Sequence, residues 1–293
     1  VTRNIISKTF IIPVSDGAIT GYLFERSHSK TISGINSLII YFHEGGWILG
    51  NMAKCRAVAS NICYETGATV LAVDYRLAPS FKFPTAIEDC YEAFTWAAQG
   101  ARYWKVDPDK IYLLGYCSGG NLALGVSRLA RDRKGPKIAG QILLSPLTDG
   151  RMRTESYSLY KETPTITAKT LSFYIQCYSR EPKDILDPLF SPLLAMDHSR
   201  LPATLVICSQ KDPLHDDGQL YVEALKSADV SSKFISLPNG CHGFFSYPKA
   251  EGWKDIMNTI TNFVSGMSVT NVELMTKEKR KEQAKKPHLI VVQ

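Results

Sequence analysis

The run Gly115-Tyr116-Cys117-Ser118-Gly119-Gly120-Asn121 constrains this chain more than any other stretch. It follows the apolar, strand-like residues 110–114 and leads into the helix-like residues 122–130. Glycines on both sides of a central residue, between strand and helix, permit a turn so tight that the central side chain is forced outward from a strained backbone. Counted from Gly115 and Gly119, that residue is Cys117. Ser118 cannot replace it by a shift of frame, because Tyr116 would then stand where a small residue is needed.

The rest of the chain alternates strands and helices around this turn. Residues 5–14 and 18–24 read as two strands joined at Ser15-Asp16-Gly17, and Leu38 to Phe42 as a strand covered on both faces. Apolar spacing predicts a helix over 54–66, a strand over 69–73 and a helix from Pro84 to about Ala98. A strand over 138–144 follows the turn and its helix. The polar, proline-containing segment 150–200 breaks the rhythm and reads as an insertion with helix near 167–178. Strands at 203–208 and 233–237 then alternate with helices at 216–227 and 251–265. This order implies an α/β fold, a mostly parallel central sheet flanked by helices, with ligands at the carboxyl ends of the strands. Residues 1–266 are expected to form a single α/β domain with a helical cap insertion at about 150–200, followed by a basic C-terminal extension, 267–293.

Composition excludes several classes. A 293-residue chain with 44% hydrophobic residues can bury a large core. Its net charge of +6 owes much to the run 277–286, and no basic stripe interleaved with aromatics points to nucleic acid. Seven cysteines without paired spacing suggest buried thiols in a reducing, cytoplasmic setting. No Cys/His cluster has metal-ligand spacing, so neither metal nor cofactor is expected. No apolar run is long enough to span a membrane. A homodimer is compatible with the sequence.

Further landmarks fall in a definite order: His43-Glu44-Gly45-Gly46-Trp47, the run DYRLAP at 74–79 with Phe83-Pro84, the glycine turn itself, and Ser145-Pro146-Leu147-Thr148-Asp149. Asp212-Pro213-Leu214-His215-Asp216-Asp217-Gly218 and His242-Gly243-Phe244 complete the series. Together they resemble the α/β-hydrolase fold, and within it the hormone-sensitive-lipase-like carboxylesterases, whose corresponding motifs are HGGG, DYRLAP, GDSAGGN, SPxTD, an acid-bearing loop and HGF. The departures are Cys117 for serine, Tyr116 for an acidic residue and Glu44 for a glycine, and strand-like sequence from residue 5 leads to the expectation that the family's helical N-terminal cap is missing. The turn GYCSGG is also similar to that of dienelactone hydrolases, which use Cys-Asp-His.

The resemblance implies a triad of Cys117, His242 and Asp212, with an oxyanion hole from the backbone N–H groups of Gly45, Gly46 and Ser118. A helix N-terminus and a nearby imidazolium favour thiolates generally, so a thiolate–imidazolium pair and an acyl-thioester intermediate are expected. The implied substrate is a small-molecule carboxylic ester, thioester or lactone. A cysteine here also reads as an inactivating replacement, but the surviving histidine, acid and glycines favour a working thiol. Glu44 is expected to point away or hold a structural hydrogen bond; with a raised pKa inside the pocket it would instead be an extra acid or base. Tyr116 either offsets the charge of Glu44 or packs. Trp47, His215, Phe244 and Phe245 are candidate pocket walls, Asp216 or Asp217 the candidate helix cap, and Cys241 a buried small residue. The competing functions are a non-hydrolytic small-molecule receptor on the same scaffold, as in some hormone-binding relatives, and an acyl transferase or lyase.

Overall fold

The computed structural model describes residues 5–27, 36–246 and 252–267; the C-terminal extension beyond residue 267, with its basic run, lies outside them. Strands β1 (Ile5–Val14) and β2 (Gly17–Arg26) form a hairpin whose register closes at Val14 and Gly17. Next come β3 (Asn36–Phe42), α1 (Met52–Thr66), β4 (Thr69–Asp74) and α2 (Thr85–Gly100). The centre of the chain is β5 (Val106–Tyr116), α3 (Ser118–Asp132) and β6 (Gly140–Leu144). Two helices, α4 (Glu155–Leu159) and α5 (Ala168–Tyr178), precede β7 (Thr204–Lys211). The order ends with α6 (His215–Ser227), β8 (Ser232–Cys241) and α7 (Trp253–Val264).

Among the described residues the eight strands form one sheet in the order β1-β2-β4-β3-β5-β6-β7-β8. Pairing is antiparallel from β1 through β2 to β4 and parallel from there to β8. Helices α1 and α7 pack together, as do α2 and α3. Leu38 to Phe42 in β3 and Val70 to Val73 in β4 have no exposed surface, as continuous apolar runs in a doubly covered parallel sheet require. Each parallel strand points the same way, so the loops after β3, β4, β5, β6, β7 and β8 gather at one edge.

Helix ends follow local chemistry. Asn51 caps α1 by accepting from Lys54 N–H, and Thr167 caps α5 by accepting from Thr170 N–H. Helix α6 has no side-chain cap, which corrects the expectation for Asp216 and Asp217. Both reach across to the insertion instead. Asp216 accepts from Ser156 N–H at 2.9 Å, and Asp217 accepts from Thr148 N–H at 2.7 Å, Asp149 N–H at 3.1 Å and Tyr157 O–H at 3.2 Å. Among the described residues, no helix is long and apolar enough to cross a membrane.

Candidate active site

Cys117 occupies the corner between β5 and α3 with φ 55° and ψ −115°, a region that side-chain-bearing residues rarely enter. The glycines around it are required by contact. A Cβ on Gly115 would lie 2.0 Å from the Gly119 carbonyl oxygen, and one on Gly119 would lie 2.1 Å from the Phe42 carbonyl oxygen. The turn is therefore wedged against the end of β3. Its strain is offset by Cys117 N–H donating to Leu144 O at 2.8 Å and Asn121 N–H donating to Cys117 O at 3.2 Å.

His242 comes from the end of β8 and Asp212 from the end of β7, and both are buried. His242 Nδ1 lies 2.9 Å from Asp212 Oδ2 and 3.1 Å from Oδ1. Asp212 in turn accepts from Ser145 O–H at 2.6 Å and from Leu214 N–H at 2.9 Å, so both carboxylate oxygens are fixed. With Nδ1 engaged, Nε2 is the nitrogen left for Cys117, the other neighbour that favours the charged imidazole. Burial opposes a charged imidazole, but the Asp212 carboxylate and Cys117 outweigh it and hold the His242 pKa well above its ordinary value.

Two further groups hold the histidine loop. Tyr116 O–H accepts from Gly243 N–H, and its ring stacks on His242 at 5.3 Å between centroids. Thr165 O–H, from the segment before α5, donates to His242 O at 2.6 Å. Tyr116 is thus both packed and hydrogen-bonded where an acidic residue was the family's choice.

The loop after β3 supplies the facing wall. Gly45 (φ 129°) accepts at its carbonyl from Leu49 N–H at 2.9 Å, and a Cβ on Gly46 (φ 61°) would collide with the Tyr174 ring. His43 stacks on Tyr75 at 4.3 Å, and Nδ1–H donates to Glu44 O at 2.7 Å. Its burial lowers the His43 pKa, in keeping with a neutral ring. Ser118 begins α3, so its N–H belongs to the first turn, which has no intrahelical acceptor.

A cavity of about 530 Å³ opens between these elements, lined among others by Gly45, Gly46, Cys117, His242, Tyr174 and Thr165. Glu44 and Lys54 line it too. Glu44 pairs with Lys54 at 2.8 Å and accepts from Ser246 O–H at 2.9 Å and Tyr41 O–H at 3.1 Å. Burial favours its neutral form, but Lys54 and Ser246 outweigh that and hold the pKa below the ordinary carboxylate value. Glu44 is a structurally bonded carboxylate inside the pocket, not an acid with a raised pKa.

Four expected wall residues lie elsewhere. Trp47 is buried against Tyr178, its ring 4.6 Å away, because its φ of 62° turns it into the core. His215 faces β8, bonded to Asp216 and to Ser236 O–H at 3.0 Å each. Phe244 packs toward Tyr116 and Phe245 is buried, neither lining the cavity. Cys241 is half-buried rather than buried. Sequence reading gave no role to Ser145, Thr165 or Lys54; the serine sat within a recognised landmark, whereas nothing local marked the other two. Among the described residues, no three His, Cys, Asp or Glu side chains gather as a metal would need.

Comparison with known proteins is consistent with this architecture. Residues 39–246 match a family described as alpha/beta hydrolase fold. The chain is 35% identical over 223 residues to an arylesterase of Saccharolobus solfataricus, covering 76% of this chain and 72% of that one. It is 33% identical over 207 residues to an ethyl acetate hydrolase of Pseudomonas putida, covering 70% of this chain and 65% of that one. The solved esterase of Pyrobaculum calidifontis superposes with a TM-score of 0.85 at 32% identity, covering 90% of this chain and 86% of the other.

Proposed function

The chain belongs to the α/β-hydrolase fold family, and from that premise we propose that it hydrolyses carboxylic esters, including thioesters or lactones, through Cys117. The observation that carries this reading is the buried Asp212–His242 hydrogen bond at 2.9 Å, with His242 and Cys117 both lining one cavity. The ester-splitting activities named for the relatives support it.

In the proposed reaction the Cys117 sulfur, as thiolate, attacks the ester carbonyl carbon. The carbonyl π pair moves to oxygen, where N–H groups of Gly45, Gly46 and Ser118 hold the developing charge. A single donor of this kind contributes about 10²–10³ in rate. The tetrahedral adduct collapses, the C–O bond breaks, and the His242 imidazolium protonates the departing alkoxide. A thioester remains on Cys117. Neutral His242 then takes a proton from water, hydroxide adds to the thioester carbonyl, and the thiolate leaves. Asp212 keeps Nδ1 protonated and stabilises the imidazolium. Lys54 offsets the Glu44 charge that would otherwise oppose the oxyanion. The 150–200 segment, which contributes Pro164, Thr165, Ile166 and Tyr174 to the lining, acts as the cap.

The test is intact-mass analysis after incubation with 4-nitrophenyl acetate. One acetyl group should appear on Cys117, and Cys117→Ala should abolish both adduct and turnover. Turnover that survives Cys117→Ala, with no adduct on the parent chain, would overturn the mechanism.

A further inference from the structure

A second cavity of about 440 Å³ lies on the far side of α5 from the catalytic one. Ile175, Gln176 and Ser179 line it, whereas Tyr174 of the same helix faces the catalytic cavity. At 100° per residue, Ser172 and Gln176 of the second lining, two positions either side of Tyr174, lie roughly opposite it, so α5 stands between the two cavities.

The second chamber is cationic and partly apolar. Its lining carries Lys82, Arg151 and Arg180 against one carboxylate, Glu181, which pairs with Lys183 at 3.0 Å. The two guanidiniums are held in the same way. Arg151 uses Nε and Nη2 on Asp149, at 2.9 and 2.7 Å, and Arg180 uses Nε and Nη2 on Asp184, at 3.3 and 3.1 Å. Both carboxylates are buried, at 3% and 4% exposure, so each fixes an arginine from behind. In neither arginine does Nη1 donate a hydrogen bond among the described residues. Lys82 Nζ donates to Ser179 O at 3.0 Å, which leaves an ammonium two further protons. Three immobilised donor groups thus surround one chamber, and Met152, Ile175 and Ile185 supply apolar wall.

We infer that this chamber binds an aliphatic monocarboxylate, its head on the Lys82, Arg151 and Arg180 donors and its chain against Met152, Ile175 and Ile185. A planar carboxylate suits guanidinium edges, and the volume matches a ligand of modest chain length. Binding here is independent of any turnover at Cys117.

The test is isothermal titration of the full chain with octanoate, beside octanol and octyl phosphate. Octanoate should saturate a site, octanol should bind at least tenfold more weakly, and octyl phosphate no more tightly than octanoate. Lys82→Glu should raise the octanoate Kd at least tenfold, Gln176→Glu about threefold, and Lys82→Arg should leave it within twofold. Gln176 is exposed, so its substitution keeps the test available should Lys82→Glu fail to fold. Absence of saturable octanoate binding, equal affinity for octanol, tighter binding of octyl phosphate, or an affinity unmoved by both acidic variants would each overturn the inference.

Discussion

Single residues hold the geometry of the candidate site through contacts that have no local signature. Tyr116 ends the strand preceding the turn, yet its use is to bond Gly243 N–H and to lie on the ring of His242, 126 residues further along the chain. Tyr116→Phe keeps the stacking and removes only the hydroxyl acceptor, a change of about 1 kcal/mol for a neutral hydrogen bond. The expected result is a fall in kcat of about fivefold with KM within twofold, measured on an aryl ester. An unchanged kcat would mean the hydroxyl does not position the histidine loop. Glu44 shows the same dependence on distant partners. Its charge is set by Lys54, ten residues on in α1, and by Ser246 beyond β8.

At the scale of elements, the turn works because three backbones meet within van der Waals limits. Gly119 touches the carbonyls of Phe42 and His43, so the start of α3 sits directly beneath the end of β3. The loop proposed to hold the oxyanion and the proposed nucleophile are therefore positioned by one contact. A methyl group at Gly119 meets backbone atoms 2.1–2.7 Å away, which cannot rotate aside as a side chain would. Gly119→Ala should destabilise by about 3 kcal/mol, the upper part of the usual overpacking range. Calorimetry should record a Tm lower by roughly 5–10 °C together with loss of ester turnover. The element boundaries themselves were largely legible. Strand β5 runs further back than its apolar core, to Val106, because its first residues pair with the start of β3 and need no hydrophobic run. Trp47 was misjudged for a backbone reason: a positive φ inside a glycine-rich loop turns its ring to Tyr178, away from the cavity.

The whole molecule is tied together at Asp217, where α6 meets the loop after β6 and helix α4. One oxygen accepts from Thr148 N–H, Asp149 N–H and Tyr157 O–H, while Oδ1, fully buried, has no partner among the described residues. Burial pushes its pKa up to about 7, against hydrogen bonds that would lower it. The unfolded chain releases this proton near the ordinary carboxylate value, the folded chain only near neutrality. Below the unfolded value both states are protonated; as pH rises toward about 7 the unfolded state alone loses the proton, so folding stability from this group declines. The slope is about 1.4 kcal/mol per pH unit for one proton. Asp217→Asn should remove it: in denaturant titrations, the variant should gain stability relative to the parent between pH 5 and pH 7. A parallel pH dependence of the two chains would contradict the shifted titration. By itself, the order of residues determined the alternation of strands and helices, the corner at Cys117 and the family-like sequence of landmarks, because periodicity, glycine and short motifs act over a few residues. Only the tertiary structure decided that Glu44 is an ionised wall of the pocket, that His215 and Phe244 stand outside it, and that Tyr116 and Thr165 hold the His242 loop. Those outcomes depend on which loops the parallel sheet gathers at one edge, and on the burial and charge that each group meets there.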